Sequence, residues 1–205
     1  MKHVIILLLI MQLAAFSKPD QATKEANEKR ENIAAELAVL TVEASNVGKG
    51  GGDDKAYARV SDSMSKKLKL GEADQAKLRP IVVNALKEMQ VGFLTSCYTK
   101  AFSSSTFSTK ELLGIREFYQ SDAGKAFLAH QTDRTPLSPE EESGVREFVK
   151  SDVGKAFFTK REEFGTAFEE IRKASTKDLH QKIMGKVRQE APELLEKEEA
   201  EQGAP

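Results

Sequence analysis

One stretch occurs twice in this chain, and no other feature constrains its fold as strongly. Residues 107–127 read FSTKELLGIREFYQSDAGKAF, and residues 137–157 read LSPEEESGVREFVKSDVGKAF. The copies align without gaps, sharing Ser, Glu, Gly, Arg-Glu-Phe, Ser-Asp and Gly-Lys-Ala-Phe in register. Whatever local structure one copy takes, the other is expected to repeat.

Each copy reads as two short helices joined at a sharp break. Ser108 with Glu111 forms a capping box, in which each residue satisfies a free amide of the other. Ser138 takes the same role in the second copy, with Pro139 at the first helical position, where its missing N–H costs nothing. Apolar residues follow at helical spacing: Leu112, Ile115, Phe118 and Tyr119, then Val145, Phe148 and Val149. Ser121-Asp122 and Ser151-Asp152 look like fresh helix starts, predicting helix ends near Gln120 and Lys150. Gly124 and Gly154 fall in the new first turn. Glycine weakens a helix by about 1 kcal/mol against alanine, so a packing reason is expected, namely close approach of the preceding helix. Phe127 and Phe157 sit three residues on, facing Phe118 and Phe148 across that contact. The motif residues are therefore Phe118, Tyr119, Ser121, Gly124, Phe127, Phe148, Ser151, Gly154 and Phe157. Reading Ser-Asp-x-Gly-Lys as an anion nest is the weaker alternative, because phosphate-cradling loops need more glycine and a preceding strand.

The pattern Phe107-Ser108, Glu111-Leu112, Phe118-Tyr119, Ser121, Gly124-Lys125 resembles the bacterial family catalogued as domain of unknown function 2059. Tyr98 sits where that family tends to carry an aromatic. The resemblance covers roughly residues 90–131. It implies an α-helical, exported protein and carries no catalytic residues. The family usually has Pro where this chain has Asp122 and Asp152, and usually one copy where this chain has two. The second copy also replaces Leu112 by Glu142 and Tyr119 by Val149.

Residues 1–17 read as a signal peptide. Lys2 and His3 precede the apolar run Val4 to Leu13, which is too short to span a bilayer, and Ala15-Phe16-Ser17 offers small residues for cleavage. The expected location is periplasmic or extracellular, with cleavage near Ser17. Removing that segment costs one of 31 basic residues, leaving 30 against 32 acidic ones. This near-neutral balance predicts no nucleic-acid partner. Cys97 is the only cysteine, so no internal disulfide is available, and its apolar setting predicts a buried thiol.

The rest of the chain also reads as helix. Residues 18–46 have a polar, solvated first part and a packed second part through Ile33, Leu37, Leu40 and Ala44. A glycine-rich linker covers 47–54. A helical domain covers 55–190. Within it Tyr57, Val60, Met64 and Leu68 mark a short helix, and Leu78, Val82, Ala85, Met89, Phe93 and Cys97 mark the long apolar one. That long helix is expected to be the surface on which both repeats pack. Phe164, Phe168, Ile171, Leu179, Ile183 and Val187 continue the pattern, Pro192 ends it, and 191–205 reads as an acidic flexible tail. No stretch alternates as a strand would. The expected fold is an all-α, compact antiparallel bundle with a tandem helix–break–helix motif and no stable membrane span beyond the leader.

No catalytic, cofactor or metal residues emerge. His130 and His180 have no acidic partner at ligand spacing. The carboxylate clusters at 140–142, 162–163 and 169–170 lack the glycine and oxygen pattern of a calcium loop. The repeated pairs Arg116-Glu117 and Arg146-Glu147 read as surface charge, or more sharply as ties between the copies. The expected function is a non-catalytic exported protein that binds an unknown protein or lipid partner in the cell envelope through apolar helix faces. The alternative is an envelope hydrolase whose site is assembled from distant residues such as His130, His180 and Cys97.

Overall fold

A computed structural model of the chain describes residues 21–45 and 53–195. The expected leader over 1–17, most of the linker over 47–54 and the tail over 196–205 lie outside the described residues. Among the described residues eight helices form: α1 (Gln21–Ala44), α2 (Asp53–Lys67), α3 (Glu72–Ser103), α4 (Thr109–Gln120), α5 (Asp122–Asp133), α6 (Pro139–Lys150), α7 (Asp152–Thr159) and α8 (Arg161–Glu190). No strand occurs among the described residues, and the all-α bundle is as expected. No helix among them is long and apolar enough to cross a membrane.

Each repeat copy is helix–break–helix, and the break is one residue long. Ser121 closes α4 and opens α5. Its amide donates to the Glu117 and Phe118 carbonyls, its hydroxyl donates to Phe118 O at 2.7 Å, and the same oxygen accepts from the Gly124 amide at 3.1 Å. Ser151 repeats this with Phe148 O at 2.7 Å and the Gly154 amide at 3.0 Å. Both capping boxes are formed. The glycines answer the packing question. A Cβ on Gly124 would lie 1.8 Å from Phe118 O, and one on Gly154 would lie 1.9 Å from Phe148 O. Only hydrogen fits where each helix turns back over a carbonyl in its predecessor's last turn.

The copies pack on each other reciprocally. Helix α4 lies on α7 and α5 lies on α6. A Cβ on Gly114 of α4 would meet Val153 of α7 at 2.8 Å, and one on Gly144 of α6 would meet Ala123 of α5 at 2.6 Å. Gly114 and Gly144 are equivalent across the repeat, as are Ala123 and Val153. Phe118 stacks on its own equivalent, Phe148, with centroids 3.8 Å apart and rings tilted by only 2°. Residue i touching j′ while j touches i′ is the signature of an isologous interface. The duplication thus folds as a dimer-like pair within one chain.

Two apolar cores result. The first joins the repeats to Ile33, Ala34 and Leu37 of α1 and to Phe102 at the end of α3. The second joins Tyr57 and Met64 of α2, Leu78, Val82 and Leu86 of α3, and Ile183 and Val187 of α8. This corrects one expectation. Val82 and Met89 belong to the second core, and the repeats pack instead on α1 and on the last turns of α3. The 32-residue α3 is about 48 Å long at 1.5 Å per residue, so its two ends serve different cores. Phe93, midway along, lines a groove between α3 and α8 together with Gly92 and Ser175.

Smaller differences have local causes. The buried stripe of α2 runs through Tyr57, Ser61 and Met64, while Val60 is exposed. Pro192 does follow the end of α8, but Ala191, Leu194 and Leu195 then pack into the second core, so the segment read as tail starts with buried residues. Arg30, in the polar part of α1, donates to the carbonyls of Ser103, Ser104 and Phe107. It thereby satisfies acceptors left open where α3 ends. Arg116 pairs with Glu36 of α1 at 3.1 Å and Arg146 with Glu142 of its own helix at 2.7 Å, so neither ties the copies together.

Candidate functional site

Where the two copies meet α1, α3 and α8, the rings do not close completely. They leave an apolar pocket of about 170 Å³. Helix α3 contributes Tyr98 and Phe102, α4 contributes Tyr119, α5 contributes Phe127 and Leu128, and α7 contributes Phe157 and Phe158. Phe164 of α8 completes the wall, with Thr41, Gln131 and Arg161 as the polar contributors. The rings hold one another in place. Phe102 packs on Phe164 at 4.7 Å, Tyr119 meets Phe157 edge-on at 6.3 Å, and Phe127 meets Phe158 edge-on at 6.5 Å. Tyr98 is fixed from the other side by Phe168, at 4.3 Å.

The position of this pocket follows from the repeat. Phe127 and Phe157 are the rings that face back over each break, toward Phe118 at 5.8 Å and Phe148 at 6.1 Å. Their outer sides form the pocket wall. Phe118 and Phe148 fill the centre of the pair and do not reach the pocket. Ser121, Ser151, Gly124 and Gly154 build the breaks that aim these rings. Of the nine motif residues, the pocket therefore takes Tyr119, Phe127 and Phe157 directly, and the other six support them.

Burial pushes the Tyr119 phenol far above its ordinary range, with nearby Tyr98 adding to the effect and Arg161 opposing it. Burial also raises Tyr98, helped by the Glu169 carboxylate. Both hydroxyls therefore stay protonated and can donate a hydrogen bond at any physiological pH. Tyr119 is only 5% exposed and lines the pocket close enough to Arg161 for that charge to act on its phenol. Arg161 is exposed at the pocket and forms no ion pair among those residues. Its neighbour Lys160 behaves differently, gripping the copy-1 capping-box carboxylate of Glu111 at 2.9 and 3.0 Å.

Arg161, Gln131, Thr41 and Leu128 carried no signal as site residues in the sequence. Arg161 sits in a run of four charged residues that reads as a solvated face. The break before α8 that brings it to the pocket leaves no proline or glycine mark.

The residues weighed for hydrolytic chemistry lie apart from the pocket. The His130 ring bonds the Thr135 carbonyl at 2.8 Å and His180 is exposed on α8. Cys97 is fully buried, which raises its thiol pKa, although a Ser175 hydrogen bond and the Lys100 and Arg172 charges oppose that. No group of three or more His, Cys, Asp or Glu residues is placed to hold a metal among the described residues.

Neither the curated proteins nor the solved structures contain a match to this chain. Residues 104–135, which hold the first copy complete from its cap to the end of α5, match the model of the family described as "Uncharacterized protein conserved in bacteria (DUF2059)".

Proposed function

We propose that this protein is an exported helical binding module that performs no chemical step of its own, and that it takes its ligand in the aromatic pocket between the repeats. The observation that carries this reading is the unfinished packing of the rings. A core would cover them, yet Phe158 is 37% exposed beside a cavity that α4, α5 and α7 jointly frame. Concave, mostly apolar sites with a few polar groups are the usual form of small-ligand pockets. The partner in the envelope would present an apolar group of lipid or protein origin to it.

A neutral naphthylamine dye that fluoresces in apolar surroundings tests this. One dye per chain should bind, and Gln131→Trp, at an exposed position beside the pocket, should weaken binding tenfold or more without lowering Tm. Failure of the wild type to bind, or equal binding by the variant, overturns the pocket reading. Export is tested separately. Mass spectrometry of the secreted or periplasmic protein should find a terminus near Lys18, and an intact Met1 would contradict it.

A further inference from the structure

The pocket's size and polarity narrow the ligand, and this step rests on the pocket being the binding site. We propose that it holds a small carboxylate whose tail is one aryl ring or a short alkyl chain, with the carboxylate placed between Arg161 and the Tyr119 hydroxyl.

Size sets the tail. An apolar cavity of about 150 Å³ accommodates a benzene ring, and the pocket here is about 170 Å³. That is room for one ring or a short chain, and too little for a two-chain lipid. The ring walls at Phe127, Phe157 and Phe164 suit such a group.

Charge sets the head. Arg161 is the only charged side chain lining the pocket, and it has no acidic partner among the described residues. Tyr119, more than nine-tenths buried, lines the same pocket with a phenol that stays protonated. A guanidinium and a phenol are both donors, and a carboxylate supplies two acceptor oxygens to match them. A neutral amide carries no charge to pair with the Arg161 guanidinium.

Displacement of the naphthylamine dye distinguishes these ligands. 3-Phenylpropionate should displace it at a concentration at least tenfold below that of 3-phenylpropanamide. Arg161→Gln and Tyr119→Phe should each shrink that preference to threefold or less, with the acid and the amide compared on the same variant so that any change in dye affinity cancels. Equal displacement by acid and amide overturns the proposal, as does an undiminished preference in Arg161→Gln. If the dye binds and the preference is missing, only the carboxylate assignment fails. If the dye does not bind at all, the pocket reading fails and takes this inference with it.

Discussion

The two repeat copies have the same skeleton and different surroundings. Ser121 and Ser151 make the same hydrogen bonds within 0.1 Å, and Gly124 and Gly154 press on the same carbonyl within 0.1 Å. Yet copy 1 buries Leu112, Ile115, Tyr119 and Leu128, whereas the matching Glu142, Val145, Val149 and Phe158 of copy 2 are all at least partly open, with Val149 40% exposed. Helix α1 covers the first face, whereas the second stays at least partly open. The motif thus specifies how a chain turns. The residues outside it decide which turned unit has its outer face buried and which leaves that face open.

Substitutions at matched positions of the two copies test this contrast. Phe118→Ala and Phe148→Ala should each cost about 3–5 kcal/mol in denaturant unfolding. Because the rings stack on each other, the double variant should cost clearly less than the sum. Additive losses would mean that the stacked pair is not the centre of the repeat. If either variant kept its stability and lost dye binding, that ring would be a recognition residue rather than a support.

Leu112→Ala, at a fully buried site, should cost about 3 kcal/mol. Its counterpart Glu142→Ala should cost less than about 0.5 kcal/mol, since its exposed pair with Arg146 is screened by solvent. Similar effects at the two positions would contradict the difference in burial.

Gly124→Ala and Gly154→Ala should be alike, each costing about 2–3 kcal/mol, because the obstructing atom is backbone and cannot rotate away. Thermal unfolding measures both. A tolerated alanine at either site would show that its break can open.

Ser121→Ala and Ser151→Ala should each cost about 1 kcal/mol. Unequal costs would show that the surroundings reach even the caps.

The smallest effect separates the copies by pH. Burial works to raise the Glu111 carboxyl, but the Lys160 ammonium and the Ser108 amide and hydroxyl outweigh it and hold it below the usual range. A depressed carboxyl stabilises the fold above its unfolded value, about pH 4.3, and loses that contribution as pH falls through the folded value. Lys160→Met should therefore lower Tm at neutral pH, and the two melting curves should converge below about pH 4. A gap that persists in acid would mean that Lys160 acts through its contact with the Phe107 ring instead.

The breaks, the caps and the helical class are all legible in local spacing. A capping serine binds an amide three residues away, and a glycine in the first turn admits the carbonyl just behind it. These contacts span six residues or fewer, so the spacing of Ser108, Glu111, Ser121 and Gly124 contains them, and the duplication states them twice. Tertiary structure decided what those units pack against. An apolar stripe such as Val82, Met89 and Phe93 declares that a face wants cover, but the same stripe suits any apolar partner. The length of α3 gave Val82 to the second core, and the course of α1 covered Leu112 and Ile115. Arg161, Tyr119 and Phe157 likewise meet only in three dimensions, with Tyr119 and Arg161 on helices that the second copy separates in the chain. Arg161 looks like any exposed arginine until the fold sets it beside a buried phenol.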